Sequence, residues 1–172
     1  MIETLHKLLE RFQHLSDYAE TKLGVLIAFN SALTFGLFSI FKDQTINIKF
    51  AMLCIIILNL LSIFFAFSGI FAKRKNNHNS ENNNEIKNYY YYKYVANLNE
   101  TSFLENIKND YALTSVNSQM EKDISNQIVV LAKITDRKFR YFNIAIGFTL
   151  ASIITPLGLL IFNIYNNPDW LT

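Results

Sequence analysis

Ser118 to Tyr165 reads SQMEKDISNQIVVLAKITDRKFRYFNIAIGFTLASIITPLGLLIFNIY. Its first half sets charges at helical spacing around Ile124, Ile128, Leu131 and Ile134, and from Tyr141 onward it carries none. The pattern predicts one long helix that begins in water and ends in a bilayer. At 1.5 Å per residue that helix is about 70 Å long, more than twice a hydrocarbon core of about 30 Å. A soluble stalk is therefore expected to continue directly into a membrane span.

Two more uncharged runs, Leu23 to Phe41 and Phe50 to Ala72, are long enough to span. With 51% hydrophobic residues, 15% aromatics and five glycines in 172 residues, the chain reads as an all-α integral membrane protein with three transmembrane helices. Its expected divisions are a cytoplasmic amphipathic helix at 1–22, spans at 23–41, 50–72 and 141–165, an outer loop at 42–49, a cytoplasmic linker and helical stalk at 73–140, and an outer tail at 166–172. Acidic residues Glu3, Glu10, Asp17 and Glu20 ahead of the first apolar run fit a signal peptide poorly, so the first span reads as a retained anchor.

Lysine and arginine orient the spans. Three (Lys7, Arg11, Lys22) precede the first span, two (Lys42, Lys49) lie in the first loop, eleven fall between Lys73 and Arg140, and none follows. The positive-inside rule then puts the amino terminus and the central region in the cytoplasm and the carboxyl terminus outside, with Tyr165 and Trp170 as interfacial anchors. A net charge of +2 is too small to suggest a nucleic-acid partner. The single cysteine, Cys54, rules out an intrachain disulfide and a structural zinc site.

Leu5, Leu8, Phe12, Leu15 and Ala19 step by three and four along the first helix, a short coiled-coil seam expected to pack on the base of the last helix. His6, Glu10 and His14 share another stripe; a metal or pH site is the sharp reading and a solvated face the one adopted. In the first span, Gly24, Ala28, Ser31, Ala32 and Gly36 allow close helix approach, and Asn30 needs a partner on a neighbouring helix, through packing or by lining a pore. Lys73, Arg74 and Lys75 end the second span, and Arg137, Lys138 and Arg140 form a headgroup collar below the third.

A polar low-complexity linker, 76–88, changes abruptly into YYYYKY, Tyr89 to Tyr94. These rings beside Lys93 suit stacking on a base with phosphate contact, and equally suit packing at a membrane surface. A helix carrying Phe103, Leu104 and Ile107 is expected to start at a capping box, Ser102 to Glu105, and a second box, Ser118 to Glu121, opens the long helix. Pro156 is expected to kink the third span, with Thr155 satisfying the freed carbonyl. Phosphate loops, nucleophile elbows and zinc spacings are missing from the sequence, as are carboxylate pairs near a cleft, and about 68 cytoplasmic residues between spans two and three are few for a catalytic domain of roughly 100 or more. The expectation is a non-enzyme that binds and responds.

SDYAETKLGVLIAFNSAL (Ser16 to Leu33) resembles the opening signature of the transmembrane effectors of Pycsar antiphage systems, an acid-x-Lys ahead of a span with an Asn partway along. Glu20 stands where the pattern more often has Asp, and Lys22 and Asn30 are in place. QIVVLAKITDRKFRYFNIAI (Gln127 to Ile146) is similar to the closing signature, matching at Gln127, Ile128, Leu131, Ala132 and Lys138. The resemblance implies an inner-membrane effector that senses cyclic CMP or cyclic UMP from a partner pyrimidine cyclase. It then impairs the membrane in abortive infection, as a homo-oligomer in the lipid bilayer with no cofactor. Lys93, Tyr94, Arg137 and Lys138 are the candidate ligand contacts, and no metal site is expected. The alternatives are an effector of another second messenger, a structural subunit of a membrane complex, or a constitutive channel.

Overall fold

The computed structural model describes residues 1–43, 46–72, 87–111 and 119–166. Among these, the elements are helical throughout: α1 (Ile2–Ile40), a 3-10 turn (Phe41–Asp43), α2 (Ile46–Ile70), α3 (Tyr92–Asn97), α4 (Glu100–Asp110) and α5 (Gln119–Asn166). Lys73, Arg74 and Lys75, the linker to residue 86, the box opening at Ser118, and Trp170 lie outside the described residues, as does the side chain of Tyr165. Among the described residues, two helices are long and apolar enough to cross a membrane, α1 and, within α2, Ile48–Ile70.

α1 runs unbroken across residue 22, because no proline interrupts it and its apolar positions keep helical spacing into the apolar run. The start of α4 differs from the expectation. Asn99 is its N-cap, and Ser102 occupies the third helical position, where its Oγ accepts from the Asn99 N–H at 3.1 Å. Asparagine caps as well as serine does, so the helix begins three residues earlier than the Ser102 reading placed it. In α5, Pro156 is carried inside the helix, and Thr155 Oγ1 donates to the Ala151 carbonyl at 2.7 Å. The carbonyl that a proline at 156 leaves without its helical donor is that of Ser152, so the expected compensation by Thr155 falls one residue short.

The chain divides into two compact units. Unit 1 comprises Met1–Thr21 and Phe71–Arg140, and unit 2 comprises Lys22–Ile70 and Tyr141–Thr172. Unit 1 has an ordinary apolar core. Leu5, Leu8 and Phe12 from α1 pack with Tyr89, Val95, Phe103 and Ile107, and with Ile124, Ile128, Val129 and Ala132 of α5. The seam read from the sequence is thus the buried face of α1, and each of its large side chains contributes about 2 kcal/mol by leaving water. His6, Glu10 and His14 lie on the exposed side.

Unit 2 is built the other way round. Its outer surface carries Val25, Phe35, Phe38, Phe50, Phe64 and Ile154, while Asn30, Thr34, Asn59, Ser62, Thr149 and Ser152 are buried. Apolar outside and polar inside is the distribution that a hydrocarbon surround stabilises and water does not. Gly69 sits where the three helices of this unit come close. A Cβ there would lie 2.9 Å from Tyr141 Cβ and 3.0 Å from Leu23 Cδ1, so any larger residue at this crossing forces a helix to shift.

Candidate functional site

The tyrosine run does not behave as one surface. Tyr89 is fully buried, edge-on to the rings of Tyr94, Phe103 and Tyr111 at centroid distances of 5.6, 6.0 and 5.8 Å. Its hydroxyl donates to Asp110 Oδ2 at 2.6 Å, and Lys87 Nζ stands 3.4 Å from the same carboxylate. Burial, then the bond to Asp110, pushes the Tyr89 phenol far above its ordinary range. The same bond, with Lys87, holds the Asp110 carboxyl below the usual carboxylate range. Tyr92 turns the other way and stacks on Phe139 at 5.2 Å, and burial raises its pKa as well.

Beside this anchored ring lies a cavity of about 240 Å³ lined by Thr4, Leu8, Tyr89, Tyr90, Ile107 and Tyr111. The rings of Tyr90 and Tyr111 are exposed, and the Arg11 guanidinium sits over the Tyr90 ring at 5.3 Å. Aromatic walls with a cation at the edge can hold a flat ring and a negative group together.

The four ligand candidates named from the sequence fall on two helices, Lys93 and Tyr94 on α3 and Arg137 and Lys138 on α5. Lys93 is exposed on α3, Tyr94 is half-buried against Tyr89, and Arg137 is half-buried on α5. Lys138 is not part of an exposed headgroup collar: it is 4% exposed, donating to Ser16 Oγ at 2.7 Å and paired with Glu20. A carboxylate and a hydroxyl within reach offset the cost of taking that ammonium out of water. Sequence reasoning singled out Glu20 and Lys138 separately and missed the pair. The signal was there, since α1 was already expected to pack on the base of α5.

Of the other motif residues, Lys22 Nζ lies over the Phe142 ring at 5.3 Å, Gln127 is exposed, and Leu131 packs on the unit 1 core. Asn30 meets the expectation of a partner across an interface. Its Nδ2 lies 2.9 Å from the Leu26 carbonyl, 3.1 Å from Ser62 Oγ and 2.9 Å from Thr149 Oγ1, so α1, α2 and α5 share one polar node. Ser62 Oγ also donates to the Ala145 carbonyl at 2.8 Å.

A family model described as the Pycsar effector protein domain matches residues 4–165, all but the outermost residues of α1 and α5. No curated protein and no solved structure matches the chain. The chain belongs to the Pycsar effector protein family, transmembrane effectors of antiphage defence that work with a partner cyclase.

Proposed function

We propose that the protein is a non-catalytic inner-membrane effector, switched on by a cyclic pyrimidine mononucleotide, cyclic CMP or cyclic UMP, from its partner cyclase. Once switched on, it impairs the membrane and brings about abortive infection. The family match over residues 4–165 carries this reading. In the proposed arrangement α1, α2 and the second half of α5 all span. The amino terminus is cytoplasmic, the carboxyl terminus is outside, and the chain works as a homo-oligomer. The count of basic residues on either side of the spans supports that orientation.

We place nucleotide sensing in unit 1. The base stacks between Tyr90 and Tyr111, with Arg11 beside the phosphate; the cavity they border supports this assignment. Lys93, Tyr94 and Arg137 are proposed as outer contacts. Lys138 becomes available to an anion only by giving up Glu20, and an exchange of that kind is a differential contact able to shift an equilibrium between two states. Because α1 and α5 each contribute to both units, a change among the unit 1 helices has a covalent route to unit 2.

The test is calorimetry of purified protein with cyclic CMP and cyclic UMP, paired with leakage from dye-loaded liposomes. Binding of one of them, with leakage that depends on it, is the expected result. If neither binds and neither causes leakage, the reading is wrong. Binding without leakage would leave a sensor and remove the membrane-damaging role.

A further inference from the structure

Contacts in unit 2 fix the register of its three helices. Gly69 meets Leu23 and Tyr141, and Ser62 meets Asn30 and Thr149. As α1 and α5 rise in number, α2 falls, so it runs antiparallel to both. One helical turn beyond the Asn30 node, the same stepping brings Thr34, Asn59 and Ser152 to a common level. All three are buried: Thr34 is 8% exposed, Asn59 0% and Ser152 2%.

At this level the hydrogen bonding does not close. Thr34 Oγ1 donates to the Asn30 carbonyl at 2.8 Å, and Ser152 Oγ donates to the Thr149 carbonyl at 2.7 Å. Each hydroxyl has spent its one proton and keeps acceptor capacity. Asn59 has no partner for either Oδ1 or Nδ2 among the described residues. An amide has two donors and an acceptor with two lone pairs, and leaving them bare in an apolar interior costs several kcal/mol, on the order of 2–7. A bare amide at this level is matched by one small species that both donates and accepts.

We infer that the level of Thr34, Asn59 and Ser152 is an internal water-binding site of unit 2. A water there donates to Asn59 Oδ1 and to one of the two hydroxyl oxygens and accepts from Asn59 Nδ2, which gives it three of the two to four polar partners that a buried water needs. The site adjoins the Asn30, Ser62 and Thr149 node, so two successive polar levels line one seam while the apolar side chains face out. A hydrated level inside an otherwise apolar bundle is the cheapest place to begin a continuous water path. Resting on the membrane-impairing reading above, this level is where water first enters when the effector opens.

Two measurements test the site. In protein labelled with nitrogen-15 at asparagine and held in nanodiscs, the side-chain amide signals of Asn30 and Asn59 are assigned by their loss in N30L and N59L. A cross-peak to water is expected at the Asn59 amide and none at Asn30, whose hydrogens are already taken up by Leu26, Ser62 and Thr149. An Asn59 amide with no water cross-peak overturns the site. In loaded liposomes of phosphatidylethanolamine and phosphatidylglycerol, with cyclic CMP and cyclic UMP each added, N59L is expected to bind nucleotide as the parent does and to leak at least tenfold less. N59S, which keeps a polar group at the position, should retain leakage. Parental leakage from N59L overturns the role in opening. If the parent itself does not leak, the effector reading fails, and the water cross-peak still decides whether the site exists.

Discussion

Glu20 and Lys138, 118 positions apart in the chain, form an ion pair in which the ammonium is almost wholly buried and the carboxylate is about half exposed. The two ends of such a pair are not equivalent. Removing the carboxylate strands a charge inside unit 1, whereas removing the lysine leaves a carboxylate that water can still reach.

That asymmetry predicts a ranking. E20A is expected to cost about 1–3 kcal/mol, less than the roughly 3–5 kcal/mol of a fully buried pair broken on one side, because Glu20 is partly solvated. K138M should cost less, and in the double variant the methionine should recover most of what E20A loses. Thermal unfolding of the four proteins in detergent gives the cycle. Equal, additive losses would show that the pair carries no coupling.

Tyr89 and Asp110 bring two pH dependences with opposite signs. Asp110 is held below its ordinary value of 3.8, so its contribution is present above that pH and is lost as pH falls through the lowered value. Tyr89 is held above its ordinary value of 10.0, so its contribution is present below pH 10.0 and declines as pH rises past it. Y89F removes the alkaline dependence, weakens the acid one that Lys87 still sustains, and should cost about 1 kcal/mol at neutral pH, the net value of one hydrogen bond. Unfolding midpoints of parent and Y89F across the pH range make the comparison, and an unchanged alkaline loss in Y89F would point to another group.

The two buried asparagines of unit 2 should respond in opposite directions to the same change. N30L breaks a node shared by three helices and is expected to cost about 1–2 kcal/mol. N59L removes an amide with no protein partner and should leave the unfolding midpoint unchanged or raise it by about 2–4 °C. If the two variants lose stability alike, Asn59 has a protein partner after all.

G69A adds one methyl where Tyr141 Cβ would lie 2.9 Å away. A Cβ is tied to its backbone, so relief requires the helix to move, at a cost of about 1–3 kcal/mol. Thermal unfolding measures it, and a neutral G69A would mean that this crossing is looser than drawn.

K133P inserts proline into α5 within unit 1, removing a backbone donor at a cost of about 3 kcal/mol or more. If α5 carries the signal between units, the variant should reach the membrane and fail to kill when the cyclase is expressed. Toxicity equal to the parent would exclude α5 as that route.

Much of this architecture was legible before any coordinates. Uncharged runs marked the helices of unit 2, and the three-four stepping of Leu5, Leu8, Phe12 and Ala19 marked the face of α1 that unit 1 buries. Asn30 announced a cross-helix partner because an amide inside an apolar run has few other ways to be satisfied. What stayed hidden depended on distant choices. Among adjacent tyrosines of equal propensity, only the shape of the core decides that Tyr89 goes inside and Tyr90 stays out. Local rules allowed either Asn99 or Ser102 to cap α4, and it is Asn99 that has the extended backbone of a cap, with Ser102 at the third helical position. Asn59 and Ser62 read as polar exceptions of one kind, yet one is bonded on several sides and the other is bare.

The node at Asn30 has a property beyond its strength. Thr149 Oγ1, with one hydrogen, lies 3.2 Å from Asn30 Oδ1, 3.2 Å from the Ala145 carbonyl and 2.8 Å from Ser62 Oγ. Several placements of the hydrogens therefore fit a single placement of the heavy atoms. A junction of this kind keeps configurational entropy in its protons, and losing any one bond still leaves its donor another acceptor. The three helices are thus joined by a contact that tolerates small slips between them without coming apart.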